Sequence, residues 1–128
     1  MQKNHYIKIA IFFIITAIIL GAIASHSLKE LIATEKISSF QTGIKYQFFH
    51  AISILFLSLN YEKFNLLLKR SLNMMIIGIF FFSFSIYFLS LVEILGNQIN
   101  ILGPITPLGG LILVASWLNL LFAIKKND

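Results

Sequence analysis

The sequence predicts an all-α integral membrane protein: a four-helix bundle with both termini in the cytoplasm and short interfacial helices between spans one and two. Three observations predict it. The chain is 58% hydrophobic and 12% charged, where an ordinary soluble domain is about one quarter charged. Its mean hydropathy is +0.88. Its charges are gathered so that Ile9–Leu28, Tyr46–Tyr61, Ser71–Val92 and Gly96–Ile124 contain no Asp, Glu, Lys or Arg. A span needs about 20 mostly apolar residues. Four spans therefore use most of a 128-residue chain and leave one membrane domain over residues 1–128.

The first span is expected over Tyr6–Ser25. Lys3 and Lys8 before an apolar run, with Ala22-Ile23-Ala24 as a small-x-small site, also fit a cleaved signal peptide. The length of the run and the three spans that follow favour a retained helix. Between spans one and two, Leu28, Leu31 and Ile32 share one helical face, as do Ile37, Phe40 and Ile44. That spacing suits short helices lying at the membrane interface, with a polar loop carrying apolar anchors as the alternative.

The second span, Tyr46–Leu59, is the shortest, and a snorkelling Lys45 permits extension back through Ile44 and Phe40. The third covers Leu72–Val92. The fourth covers Thr106–Ile124 and opens with Gly103-Pro104-Ile105-Thr106-Pro107, where Thr106 fits an N-cap and Pro107 the first helical residue.

Basic residues set the orientation. Lys3, Lys8, Lys63, Lys69, Arg70, Lys125 and Lys126 fall on one side, against Lys29, Lys36 and Lys45 on the other. Basic loops stay in the cytoplasm, so both termini are placed there. The same rule accounts for the net charge of +5 without nucleic acid as a partner. With no cysteine, disulfides and thiolate chemistry are excluded.

Lipid gives helices no hydrophobic reason to associate, so small residues that permit close approach matter. They recur seven apart: Ala10, Ala17 and Ala24; Ala51 and Ser58; Ser71, Gly78 and Ser85; Gly109, Ser116 and Ala123. These stripes are expected to face neighbouring helices, with Phe12, Phe13, Phe80, Phe81, Phe82 and Leu113 turned toward lipid or outer grooves. Ala17-x-x-x-Gly21-x-x-x-Ser25 offers a homo-oligomer face as an alternative.

Polar side chains inside a membrane are costly and are the functional candidates. The candidate cluster is His26, Tyr46, Gln47, His50, Ser85, Tyr87 and Thr106, all expected in the outer half, with His26 and His50 facing each other. Three readings stand: a structural network, a small-solute or proton-linked site, and a weaker metal site from His26, His50 and Glu93. No cofactor is implied. Glycine-rich phosphate loops, a Gly-x-Ser-x-Gly elbow and paired carboxylates are all missing, and nothing marks Ser25 beside His26 as activated, so no enzyme is expected.

Gly21-Ala22-Ile23-Ala24-Ser25-His26, Phe40 through His50, Phe82-Ser83-Phe84-Ser85-Ile86-Tyr87, and Ile105-Thr106-Pro107-Leu108-Gly109-Gly110 with Trp117 resemble the domain-of-unknown-function 423 family (DUF423, also UPF0382), related to transmembrane protein 256. The resemblance runs from about Ile9 to Ala123. Gly21, Ala22 and His26 keep the first motif, and Ile23, Ala24 and Ser25 depart from it. Tyr46, Gln47 and His50 keep the second. In the third, Phe82, Ser83, Ser85 and Tyr87 match, whereas Phe84 stands where the family has glycine and fills any groove that glycine keeps open. The resemblance implies four spans in the bacterial inner membrane and supplies no activity. The expectation is a structural or accessory membrane component, self-associating or bound to a partner protein. A minimal transporter or channel using the polar cluster is the alternative.

Overall fold

The computed structural model describes residues 2–126. Helix α1, Lys3–His26, is an uninterrupted apolar rod. A 3-10 turn at Leu28–Glu30 reverses the chain into α2, Thr34–Leu59. No proline interrupts those 26 residues, so the helix runs unbroken. A second 3-10 turn, Tyr61–Lys63, leads to α3, Leu67–Ile79, a π-helical turn at Phe80–Phe84, and α4, Ser85–Ser90. The short α5, Val92–Leu95, ends at Gly96, whose φ of 94° is the left-handed conformation a side chain disfavours. A 3-10 stretch, Asn97–Leu102, then enters α6, Ile105–Leu121.

These segments form four rods. Helix α1 packs along α2, and α3 along α6, more extensively than any other pairs. Tyr6, Ala10 and Phe13 of α1 meet Ala51, Ile54 and Leu57 of α2 and Leu68, Leu72, Met75 and Ile79 of α3 in the larger core. Ala24, Leu28, Ile32, Ile37, Phe40 and Tyr87 make a smaller one toward the other end.

Both ends of the described residues meet at the first of these. Lys3 Nζ lies 2.9 Å from Glu62 Oε1, and Ile124 pairs with Phe64 in a single antiparallel bridge. Asn65 N donates to the Ala123 carbonyl at 2.8 Å, and Lys125 N to that of Lys63 at 3.2 Å.

Four rods do not make four membrane spans. Among the described residues three segments are long and apolar enough to cross: Lys3–His26, Leu67–Ser90 and Asn97–Leu121. The chain is therefore a multi-pass membrane protein in which three helices among the described residues qualify as spans by length and composition, and the expectation of a fourth qualifying span at Tyr46–Leu59 is corrected. That segment belongs to α2, which carries Glu35, Lys36, Lys45, Gln47 and His50 along its length. Helix α2 is the polar rod that returns the chain along α1.

Other limits also move. The interfacial helices shrink to the three-residue turn at Leu28–Glu30, because Ile37, Phe40 and Ile44 form the first turns of α2 instead. Helix α6 starts at Ile105 with Pro104 in the capping position and no side-chain cap, since the preceding 3-10 stretch already carries the chain into helical geometry. Thr106 is left free for another partner.

The small-residue stripes hold. Ala10, Ala17, Ala24, Ala51, Ser58, Ser71, Gly78, Ser85, Gly109, Ser116 and Ala123 are all buried. Among the bulky residues expected at lipid, Phe12, Phe80 and Phe81 are exposed. Phe13 and Leu113 are not. Phe13 sits edge-on to Phe80 at 5.5 Å between ring centres, and Leu113 fills the space beside Gly78.

Candidate functional site

A glutamine buried among apolar side chains brings two N–H donors and one carbonyl acceptor that its surroundings must satisfy. Gln47, in the middle of α2, is fully buried. Its Nε2 donates to the Phe13 carbonyl at 2.9 Å and to Thr16 Oγ1 at 2.8 Å. Its Oε1 accepts from the Tyr87 hydroxyl at 2.8 Å. One side chain thus ties α2 to both α1 and α4.

Tyr87 is held in place by its ring, 4.8 Å from Phe40 and 5.6 Å from Phe84. It reaches α2 because position 43 is glycine: a Cβ there would lie 2.6 Å from Tyr87 Cε1. The Ser83 hydroxyl donates to the Gly43 carbonyl at 2.7 Å. Phe84 packs against Phe13, Phe80 and Tyr87 between α1 and α4.

His50, one turn further along α2, is 4% exposed. The Trp117 indole donates to its Nε2 at 3.0 Å. Indole nitrogen can only donate, so Nε2 is the acceptor and Nδ1 carries the proton, directed at the Tyr46 carbonyl 2.8 Å away. Both ring nitrogens are occupied in a neutral imidazole. The ring forms one wall of an apolar groove of about 430 Å³ between α2 and α6, with Lys45 and Phe49 on one side and Gly110 and Val114 on the other.

Ser85 and Thr106 pair at 2.6 Å between α4 and α6. The π turn sets that contact. A π turn is wider than an α turn, and here its Phe81–Phe82 backbone rests directly on Gly109, where a Cβ would overlap main-chain atoms.

The structure thus joins six of the seven candidates through three separate contacts. Tyr46 takes part through its carbonyl and through its ring, 4.6 Å from Phe82. His26 does not join them. It lies ten to thirteen residues along α1 from the Phe13–Thr16 level that Gln47 contacts, about 15–20 Å at 1.5 Å per residue, so the expected facing of His26 and His50 is corrected. Glu93 is elsewhere again, near the backbone N–H of Ala33 at 3.4 Å. Among the described residues no group of three or more His, Asp or Glu is placed to hold a metal ion. Thr16, Ser83 and Trp117 were missing from the candidates. Trp117 stood among the resembling residues, and nothing in the spacing pointed to Thr16.

The sequence profile described as "Protein of unknown function (DUF423)" matches residues 20–110. A "UPF0382 membrane protein" of Haemophilus influenzae is 30% identical over 126 residues, 98% of either chain. The UPF0382 membrane protein YwdK of Bacillus subtilis is 33% identical over 86% of this chain and 87% of its own. A UPF0382 membrane protein of Schizosaccharomyces pombe is 32% identical over 80% of this chain and 86% of its own. No solved structure matches.

Proposed function

This chain belongs to the DUF423 family of proteins of unknown function, and we propose that it is a non-catalytic accessory component of the bacterial cytoplasmic membrane whose central polar residues lock its helices together. The observation that carries this reading is the closure of the network. Both N–H groups and the carbonyl of Gln47, and both nitrogens of His50, are bonded within the protein. A solute path needs polar atoms turned toward the solute, and these are turned toward one another.

An accessory component acts through a neighbour, a second copy or another membrane protein. Orientation follows from the shared end. Lys3, Lys63, Lys69, Arg70 and Lys125 cluster where both termini meet, and retention of basic segments puts that end in the cytoplasm. Because the chain has no cysteine, single introduced cysteines test this cleanly. Lys29→Cys should react with an impermeant maleimide on intact cells, and Lys125→Cys only after permeabilisation; the reverse pattern inverts the protein.

The locking role is tested by thermal unfolding of the detergent-purified protein with Gln47→Leu and His50→Ala. Gln47→Leu leaves the Tyr87 hydroxyl without its acceptor, while Thr16 keeps its bond to the Phe13 carbonyl, and should cost about 1–3 kcal/mol. Both variants should be less stable at every condition from pH 5.5 to 8. A ligand-dependent rise in wild-type stability from an ion, metal or small metabolite, abolished in both variants, would overturn the reading.

A further inference from the structure

At the end of the bundle away from the termini, a second cavity of about 230 Å³ opens between the first turns of α2, the end of α4 and the chain entering α6. Its lining differs in kind from the apolar groove. Lys36, Ser39, Ser90 and Thr106 supply polar groups, Ile86 and Leu89 an apolar wall, and no carboxylate lines it. Ser90 is 1% exposed, yet its hydroxyl has no hydrogen-bond partner. Ser58, the other buried hydroxyl in that condition, lines neither cavity.

The donors in the cavity can be assigned. Ser39 already gives its proton to the Glu35 carbonyl at 3.1 Å, and Thr106 shares one with Ser85. Lys36 forms no ion pair, since among the described residues the single one is Lys3–Glu62, and the Ser90 hydroxyl keeps its proton. A half-buried ammonium and a buried hydroxyl with nothing to donate to call for an anionic, acceptor-rich group.

The geometry points to a phosphate-binding site formed by Lys36 and Ser90, with Ile86 and Leu89 as the wall for an attached apolar chain. Phosphate at this end of the bundle has two sources, the headgroup of a bilayer lipid and free phosphate. The site is independent of the Gln47 and His50 network, and its failure would leave the accessory reading untouched.

Thermal unfolding in detergent separates the outcomes. The probes are dihexanoyl phosphatidylglycerol and inorganic phosphate, against sodium chloride at matched ionic strength, on wild type, Lys36→Gln and Ser90→Ala. A rise of several degrees with phosphatidylglycerol alone, cut by at least half in both variants, identifies a lipid headgroup site. The same rise with inorganic phosphate as well identifies free phosphate. Without ligand, Ser90→Ala should be at least as stable as wild type, since it removes a buried hydroxyl that bonds nothing. No rise with either probe, or a rise both variants retain, overturns the site. So does a loss of ligand-free stability in Ser90→Ala, because it would mean the hydroxyl already has a partner.

Discussion

The two ends of the bundle are built differently. Where the termini meet, eleven buried apolar residues from α1, α2, α3 and the turn after α6 form one core, and the polar side chains around it are mostly paired, with the Ser58 hydroxyl an exception. Tyr6 donates to Asn73 at 2.9 Å, while Asn119 donates to Ser71 Oγ at 2.7 Å and to the Leu67 carbonyl at 3.0 Å. At the other end the core has six residues, the connections between rods are short helical turns, and Ser90 keeps an unused donor beside a polar cavity. The difference teaches where cohesion and availability lie. One end spends most of its side chains on holding the rods together, and the other sets its free hydroxyl beside a polar cavity.

Gly109 at the waist is the place to break the comparison, because α6 serves both ends. A Cβ there meets the Phe81–Phe82 main chain, and neither backbone can yield without reshaping the π turn. Gly109→Ala should cost about 3 kcal/mol or more and loosen both ends. Trp117, the one tryptophan, donates to His50 from α6, so its fluorescence during denaturant titration reports the loss. A variant of near-wild-type stability would mean that α6 does not dock through this glycine.

The contrast between the two cores predicts a smaller, asymmetric effect. Leu72 is fully buried in the larger core, and Leu28 is 7% exposed in the smaller. Lipid is as apolar as leucine, so truncation forfeits packing more than transfer energy. Leu72→Ala should lose roughly 2 kcal/mol, the low end of the usual range for such changes, and Leu28→Ala about half of that. Equal losses in a denaturation series would remove the distinction between the ends.

Much of this was legible in the sequence, and the failures have physical causes. The seven-residue stripes from Ala10 to Ala123 predicted the buried faces because helix spacing is a property of local chemistry. The count of spans failed at α2, where Lys45, Gln47 and His50 interrupt the apolar run: charge-free length measured a segment that is only the second half of a longer, more polar helix. The π turn at Phe80–Phe84 left no mark, since its widening answers the backbone of Gly109 on another helix. Gln47 and Tyr87 were found by residue type alone, whereas their partners Phe13 and Thr16 are set by the pairing of α1 with α2. His26 was placed by its position at the outer end of span one, and helix rise puts it well along α1 from the network.

The ion pair between Lys3 and Glu62 sharpens the comparison by how little it should matter. Hydrogen bonding to Lys3 holds the Glu62 carboxyl below its ordinary value of 4.5. A lowered carboxyl contributes stability that is fully present above its unfolded value and lost as pH falls through the folded one. The contribution is therefore intact at neutral pH and disappears in acid below about 4.5. Glu62 is largely exposed, and exposed pairs are screened by water and salt. Glu62→Gln should match wild type closely in thermal unfolding at pH 7, and any difference should fade as pH falls below the ordinary carboxyl value or as salt is raised. A large deficit at pH 7 that persists in salt would make the pair a latch on the termini. Cohesion at that end would then rest on the clasp of Lys3, Glu62 and the C-terminal tail, and not on the eleven-residue core beneath it.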